Sequence, residues 1–134
     1  MSHDQSREEP SAGPGVTVNV EHRGDDVVLH VRGELDLCTT AILTAAIETA
    51  VRAEPSVMVI DLSGVGFLAS CGLEALLVAH QSTDKISLRV VATSRATLRP
   101  LKVSGLIENL NVYESLTAAL PADRTADSRQ NENA

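Results

Sequence analysis

Tryptophan is absent from this 134-residue chain, and phenylalanine and tyrosine occur once each. Basic residues are scarce too, 11 against 18 acidic ones, for a formal net charge of -7. Without aromatic platforms for bases or a basic stripe for phosphates, no nucleic-acid partner is expected. Cysteine occurs twice, as Cys38 and Cys71, too rarely for a secreted disulfide scaffold or a structural zinc site. In a reducing cytoplasm both begin as free thiols. The histidines, His3, His22, His30 and His80, include no pair at metal-site spacing, so no metal is expected. No Gly-rich nucleotide loop is present, and no cofactor is expected. The richest apolar stretches, residues 41–51 and 73–79, are interrupted by polar residues and fall short of the ~20 that a membrane span needs. The opening MSHDQSREEP lacks the basic-then-apolar pattern of a secretory leader, so a cytoplasmic location is expected.

What the chain does have is a hydrophobic fraction of 43%, ample for a single core. A domain of this size buries roughly two-thirds of the surface its unfolded chain exposes. Residues 1–15 and 121–134 are polar and offer nothing large to bury. Such composition does not offset the entropy of ordering, so both are expected to be disordered tails around a domain at 16–120.

Inside that domain the hydrophobic period switches repeatedly. Val16, Val18 and Val20 alternate with Thr17 and Asn19, and Val27, Leu29 and Val31 with Val28, His30 and Arg32, with Arg23-Gly24-Asp25-Asp26 between the two runs; this predicts an antiparallel hairpin. Leu43, Ala46, Ile47, Ala50 and Val51 follow helical spacing, with Thr39 or Thr40 as cap. Val57-Met58-Val59-Ile60 reads as a strand buried on both faces, ending at Asp61 in a turn through Leu62-Ser63-Gly64. Leu73, Leu76, Leu77 and His80 restore helical spacing, which makes His80 a partly buried core residue; Ile86, Leu88, Val90 and Ala92 alternate again. Ser94 is placed to cap a third helix, Pro100 to shorten or kink it, and Gly105 to end it. An edge strand at 111–113 and a short helix at 115–120 complete the order ββαβαβα(β)α. The fold class is α/β, a mixed, mostly parallel sheet entered by an N-terminal hairpin, with helices packed against it.

The stretch VMVIDLSGVGFLASCGLEALL, residues 57–77, holds the chemistry. A helix beginning at Ser70-Cys71-Gly72 sets a hydroxyl and a thiol beside unpaired N–H donors and the positive end of the helix dipole. Two readings are open. Ser70 is an N-cap and Cys71 a small filler, or the pair is a modifiable site. Asp36 either caps the first helix and accepts turn N–H groups or faces a partner; Asp61 fixes its turn. Cys71 as a catalytic nucleophile lacks both a Gly-x-Ser-x-Gly elbow and an identified base, so no enzyme is expected.

The segment Asp61-Leu62-Ser63-Gly64-Val65-Gly66-Phe67-Leu68-Ala69-Ser70-Cys71-Gly72-Leu73 resembles the signature of STAS domains, in particular of bacterial anti-sigma factor antagonists. Arg32-Gly33-Glu34-Leu35-Asp36 resembles the end of that family's second strand, and Ser104-Gly105-Leu106 the turn after its third helix. The resemblance implies a binding module that docks onto an anti-sigma factor, often an ATP-dependent serine kinase, and so frees a sigma factor for transcription. It implies partner contacts at Glu34, Asp36, Ala69, Ser70, Cys71, Gly72 and Glu74. Phosphorylation of the serine before the glycine turns such modules off, through about -1.5 to -2 added charges in a close-fitting patch.

This chain departs from the family's Asp-Ser-Ser-Gly at that point, reading Ala69-Ser70-Cys71-Gly72. Cys71 occupies the acceptor position. Ser70 is the only nearby hydroxyl, rotated by about 100 degrees around the helix. The departure raises a further possibility, a reversible Cys38–Cys71 disulfide with Cys71 as the more reactive thiol; it requires Cα atoms within about 7 Å. The alternative is two unlinked thiols. A second job on the same fold, as accessory subunit of a lipid transporter or part of a stress-sensing complex, also fits the resemblance.

Overall fold

The structure, a computed structural model, describes residues 11–13 and 15–121. The expected tails at 1–10 and 122–134, with Pro14, lie outside the described residues. Three residues expected within the N-terminal tail instead form a strand, β1 (Ser11–Gly13), paired antiparallel with the start of β2 (Val16–Arg23). Ser-Ala-Gly carries no hydrophobic alternation, so backbone pairing rather than any side-chain pattern defines this strand.

The predicted hairpin is present: β2 runs antiparallel to β3 (Asp26–Leu35), with Val18 opposite Val31 and Arg23 opposite Asp26. From β3 onward the sheet is parallel, through β4 (Val57–Leu68), β5 (Ser87–Val91) and the two-residue edge β6 (Val112–Tyr113). The six strands lie in sequence order. Each crossover therefore steps the same way across the sheet. Right-handed connections then place α1 (Thr40–Val51), α2 (Ser70–Ser82) and α3 (Arg95–Val103) on one face.

That face carries the main core. Val18, Leu29, Val31, Met58, Ile60, Leu62 and Val90 from the strands meet Leu43, Leu76 and Leu101 from the helices, all essentially inaccessible. On the other face α4 (Leu116–Ala119) covers only part of the sheet, seating Ala119 against Val28, Val59 and Val91. Ser115 caps α4, its side chain accepting from the Ala118 N–H. Ser94 occupies the N-cap position of α3, but its hydroxyl lies 3.4 Å from Thr97 Oγ1 and caps no N–H. Pro100 removes one helical bond, and α3 stops three residues later, with Gly105 beyond it at φ +82°.

The expected turn at Leu62-Ser63-Gly64 is not there. β4, 12 residues long, runs on through these positions to Leu68, and its pairing with β3 slips twice, between His30 and Arg32 and between Gly33 and Glu34. Each slip inserts an extra residue on β4, so the buried positions after Leu62 fall at Val65 and Leu68, three apart. The Ser and Gly residues that read as a turn serve these irregularities instead. Gly33, paired with Val65, has φ +110°, and a Cβ there would run into the Gly15 carbonyl. That close approach lets the Glu34 N–H donate to Gly15 O at 2.7 Å. It accounts physically for glycine within Arg32-Gly33-Glu34.

Candidate functional site

The site forms at the C-terminal ends of β3 and β4, where the chain leaves the sheet for α1 and α2. Asp36 organises the first exit. Its Oδ1 accepts from the backbone N–H groups of Cys38 (2.9 Å) and Thr39 (3.1 Å), a local turn of the kind aspartate favours. Thr39 is the N-cap residue of α1 yet caps no helical N–H. Its buried hydroxyl donates to the Glu34 carbonyl at 2.7 Å and accepts from the Asp36 N–H at 2.9 Å. The loop is thus tied down at both ends. Leu37, at its tip, is 84% exposed.

The second exit packs against the first. The Ala69 N–H donates to the Leu35 carbonyl at 2.9 Å, and Gly72 is buried. A Cβ on Gly72 would sit 3.1 Å from Leu35 Cβ and 2.8 Å from Leu68 Cδ1, so glycine lets α2 press onto the strand ends. Thr40 Oγ1 donates to the Asp36 carbonyl at 2.7 Å and lies 3.4 Å from Cys71 Sγ, bridging the exits.

Ala69, not Ser70, is the N-cap of α2, and its methyl group can accept nothing. The N-cap reading of Ser70 is therefore corrected: Ser70 is the first helical residue, with its side chain exposed. Cys71 is half-buried rather than a buried filler, Cys38 is exposed, and both are free thiols. Glu34 and Glu74 are exposed, and Asp36 is half-buried.

Two features had no signal in the sequence. Phe67, paired with Glu34 across the sheet and three residues before the first residue of α2, is 51% exposed. A trough of about 570 Å³ also runs between α1 and α2, reached by Leu37, Thr40 and Cys71 at one end. Single apolar residues read as core in a linear sequence, and a trough between two helices appears only when the chain is folded.

A separate polar chain crosses the sheet face away from α1–α3. His30 Nε2 lies 2.8 Å from Glu21 Oε1, and His30 Nδ1 lies 3.3 Å from Asp61 Oδ2. Asp61 Oδ1 accepts from both the N–H and hydroxyl of Ser63, and Arg23 Nε donates to Glu21. Asp61 thus fixes a bulged strand rather than a turn. Burial alone would raise the Glu21 pKa, but the hydrogen bonds and charges of His30 and Arg23 outweigh it and hold the carboxyl below its usual value. His80 is half-buried on α2, as its spacing predicts. No helix among the described residues is long and apolar enough to cross a membrane.

Residues 17–119 match the STAS domain family. The anti-sigma-F factor antagonist RsfB of Mycobacterium tuberculosis (strain H37Rv) is 36% identical over 115 residues, 85% of this chain and 94% of that protein. The anti-sigma-F factor antagonist RsfA of the same strain is 27% identical over 111 residues, 77% of this chain and 84% of that protein. In three dimensions the chain is similar to the crystal structure of an anti-sigma factor antagonist from Mycobacterium paratuberculosis. The two share 37% identity and a TM-score of 0.78, over 85% of this chain and 98% of the other. The extent of these matches, and the order of elements beneath them, place this chain in the STAS domain family.

Proposed function

We propose that this chain is an anti-sigma factor antagonist, a non-enzymatic cytoplasmic module that binds an anti-sigma factor and so releases a sigma factor for transcription. The observation that carries the reading is that the two chain exits braced together at the α2 start each hold an exposed apolar residue, Leu37 after β3 and Phe67 at the end of β4. Large apolar groups held out to water on rigid backbone are the material of interface anchors. Glu34, Asp36, Ala69, Ser70, Cys71, Gly72 and Glu74 lie on the same two chain exits, and relatives named as antagonists span nearly the whole domain. Those relatives favour this reading over a transporter subunit.

The switch differs from the family's usual one. Cys71 stands at the acceptor position and is half-buried, whereas the Ser70 side chain is exposed on the first turn. Where the partner is a serine kinase, Ser70 is its accessible hydroxyl. A phosphoryl group there adds about -1.5 to -2 charges and the bulk of a tetrahedral group, and the cost of desolvating it in a close-fitting interface then opposes docking. Oxidation linking Cys38 to Cys71 is a second route to the same face, favoured by the Thr40 bridge that joins the Cys38 loop to Cys71.

The test uses purified anti-sigma factors, with ATP for those that are kinases. The wild type binds one of them, and a kinase among them labels it on Ser70 alone; Cys71→Ser restores the Ser-Gly acceptor and gains label at position 71. No binding by the wild type to any of them refutes the antagonist reading. Absence of label from Cys71→Ser with a bound kinase refutes the placement of the switch. After mild peroxide, a Cys38–Cys71 peptide in mass spectra together with weakened binding supports the oxidative route, and its absence ends it.

A further inference from the structure

The trough between α1 and α2 has a composition that the α2 start alone does not explain. Thr40, Thr44, Ile47 and Val51 line it from α1, at the i, i+4, i+7, i+11 spacing of one helix face. Cys71, Ala75, Val78 and Ser82 line it from α2 at the same spacing. It therefore runs the length of both helices, about 18 Å for the 12 residues of α1. Its middle is apolar, with Val78 52% exposed. Its charged lining residues are Glu48 and Glu74, and neither Lys nor Arg lines it.

Those features select among occupants. Residues 1–10 and 122–134 carry no large apolar side chain except Met1, so the chain's own ends have nothing to seat there. A fatty acid or other anionic amphiphile would bring its headgroup to carboxylates with no cation to receive it. A second copy would set one net charge of -7 and one carboxylate pair against another. An amphipathic helix of about three turns, apolar on one side and flanked by Lys or Arg, matches the length, the floor and the charged rim together.

We propose that the trough receives such a basic-flanked helix from the anti-sigma factor, a contact that extends from the α2 start along the outer faces of α1 and α2. The proposal rests on the antagonist reading and specifies which part of the partner it grips. Apolar residues of the helix cover Ile47, Ala75 and Val78, while its basic residues meet Glu48 and Glu74. Thr40 and Cys71 at the near end make this contact continuous with the proposed docking face.

The test measures affinity of the full chain for the anti-sigma factor that the wild type binds. Variants are Ala75→Phe, which fills the trough, Glu48→Lys, an exposed position whose reversal leaves the core untouched, and Val103→Asp on α3 as a control outside the lining. Ala75→Phe weakens binding about tenfold or more. Glu48→Lys weakens it about threefold, an effect that fades as salt rises toward about 1 M. Val103→Asp binds as wild type, and one basic amphipathic peptide from that partner competes. If Ala75→Phe, circular dichroism confirming its fold, and Glu48→Lys both bind as wild type, the trough proposal falls while the antagonist reading stands. If the wild type binds no anti-sigma factor, both fall. If the variants change only self-association in sedimentation, the occupant is a second copy and the proposal is wrong.

Discussion

Replacing Gly72 by alanine tests whether α2 is pressed against the strand ends. In an open helix the change would stabilise by roughly 0.5–1 kcal/mol, because alanine has less backbone freedom to lose. Here the added methyl group lies 2.8 Å from Leu68 Cδ1 and 3.1 Å from Leu35 Cβ. The leucine terminus can rotate away, but Leu35 Cβ is fixed to a strand that pairs with Leu68 across the sheet. Overpacking of this kind costs about 1–3 kcal/mol. The overpacking wins, leaving a net loss of about 1–2 kcal/mol, or a Tm lower by roughly 4–10 °C for a domain of this size. Urea denaturation followed by circular dichroism measures it, with an unchanged m-value confirming two-state unfolding. The α2 start also shifts outward, so affinity for the partner falls with stability. A Gly72→Ala protein as stable as wild type would refute the close packing, and with it the rigidity ascribed to the docking face.

Leu37→Ala and Phe67→Ala remove exposed side chains, so each leaves stability within about 0.5 kcal/mol while lowering partner affinity about tenfold; paired denaturation and calorimetric titrations measure both quantities. Asp36→Ala deprives the Cys38 and Thr39 N–H groups of their acceptor, costs about 1 kcal/mol by analogy with a lost cap, and speeds amide exchange at those two residues. Glu21 makes the stability pH-dependent at its acid end. Its carboxyl is depressed in the folded state, so its stabilisation is fully present above the unfolded pKa of about 4.3 and disappears as pH falls through the lower folded value. Glu21→Gln accordingly flattens the dependence of the urea midpoint on pH below about 5, and an unchanged slope would show that the His30 and Arg23 contacts do not hold Glu21 ionised.

Periodicity made most of the fold legible before folding. Val18, Leu29, Ile60 and Val90 announce their strands, and Leu43, Ile47 and Leu76 their helices, because each face buries into one continuous core. The signal fails where backbone alone decides. β1 has three small residues and no pattern, and the far half of β4 breaks the two-residue period at bulges built from Ser63, Gly64 and Gly66. The α2 start was readable as a helix boundary at Ser70-Cys71-Gly72, but the identity of its cap was not, since Ala69 serves by backbone geometry and not by side-chain chemistry. Leu37 and Phe67 are illegible for the opposite reason: their chemistry suggests the core, and only the folded chain places them in water. The His30 bridge joins Glu21, nine residues away, to Asp61, 31 residues away, a separation no local spacing encodes.

Hydrogen–deuterium exchange on the proposed complex with an anti-sigma factor tests the central claim most directly. Amides at 34–40 and 67–78 gain protection on binding if the strand ends and the α2 start are what the partner grips. Protection confined to the opposite end of the sheet, at the 23–26 turn and residues 53–56, with 69–74 exchanging as in the free protein, would contradict it.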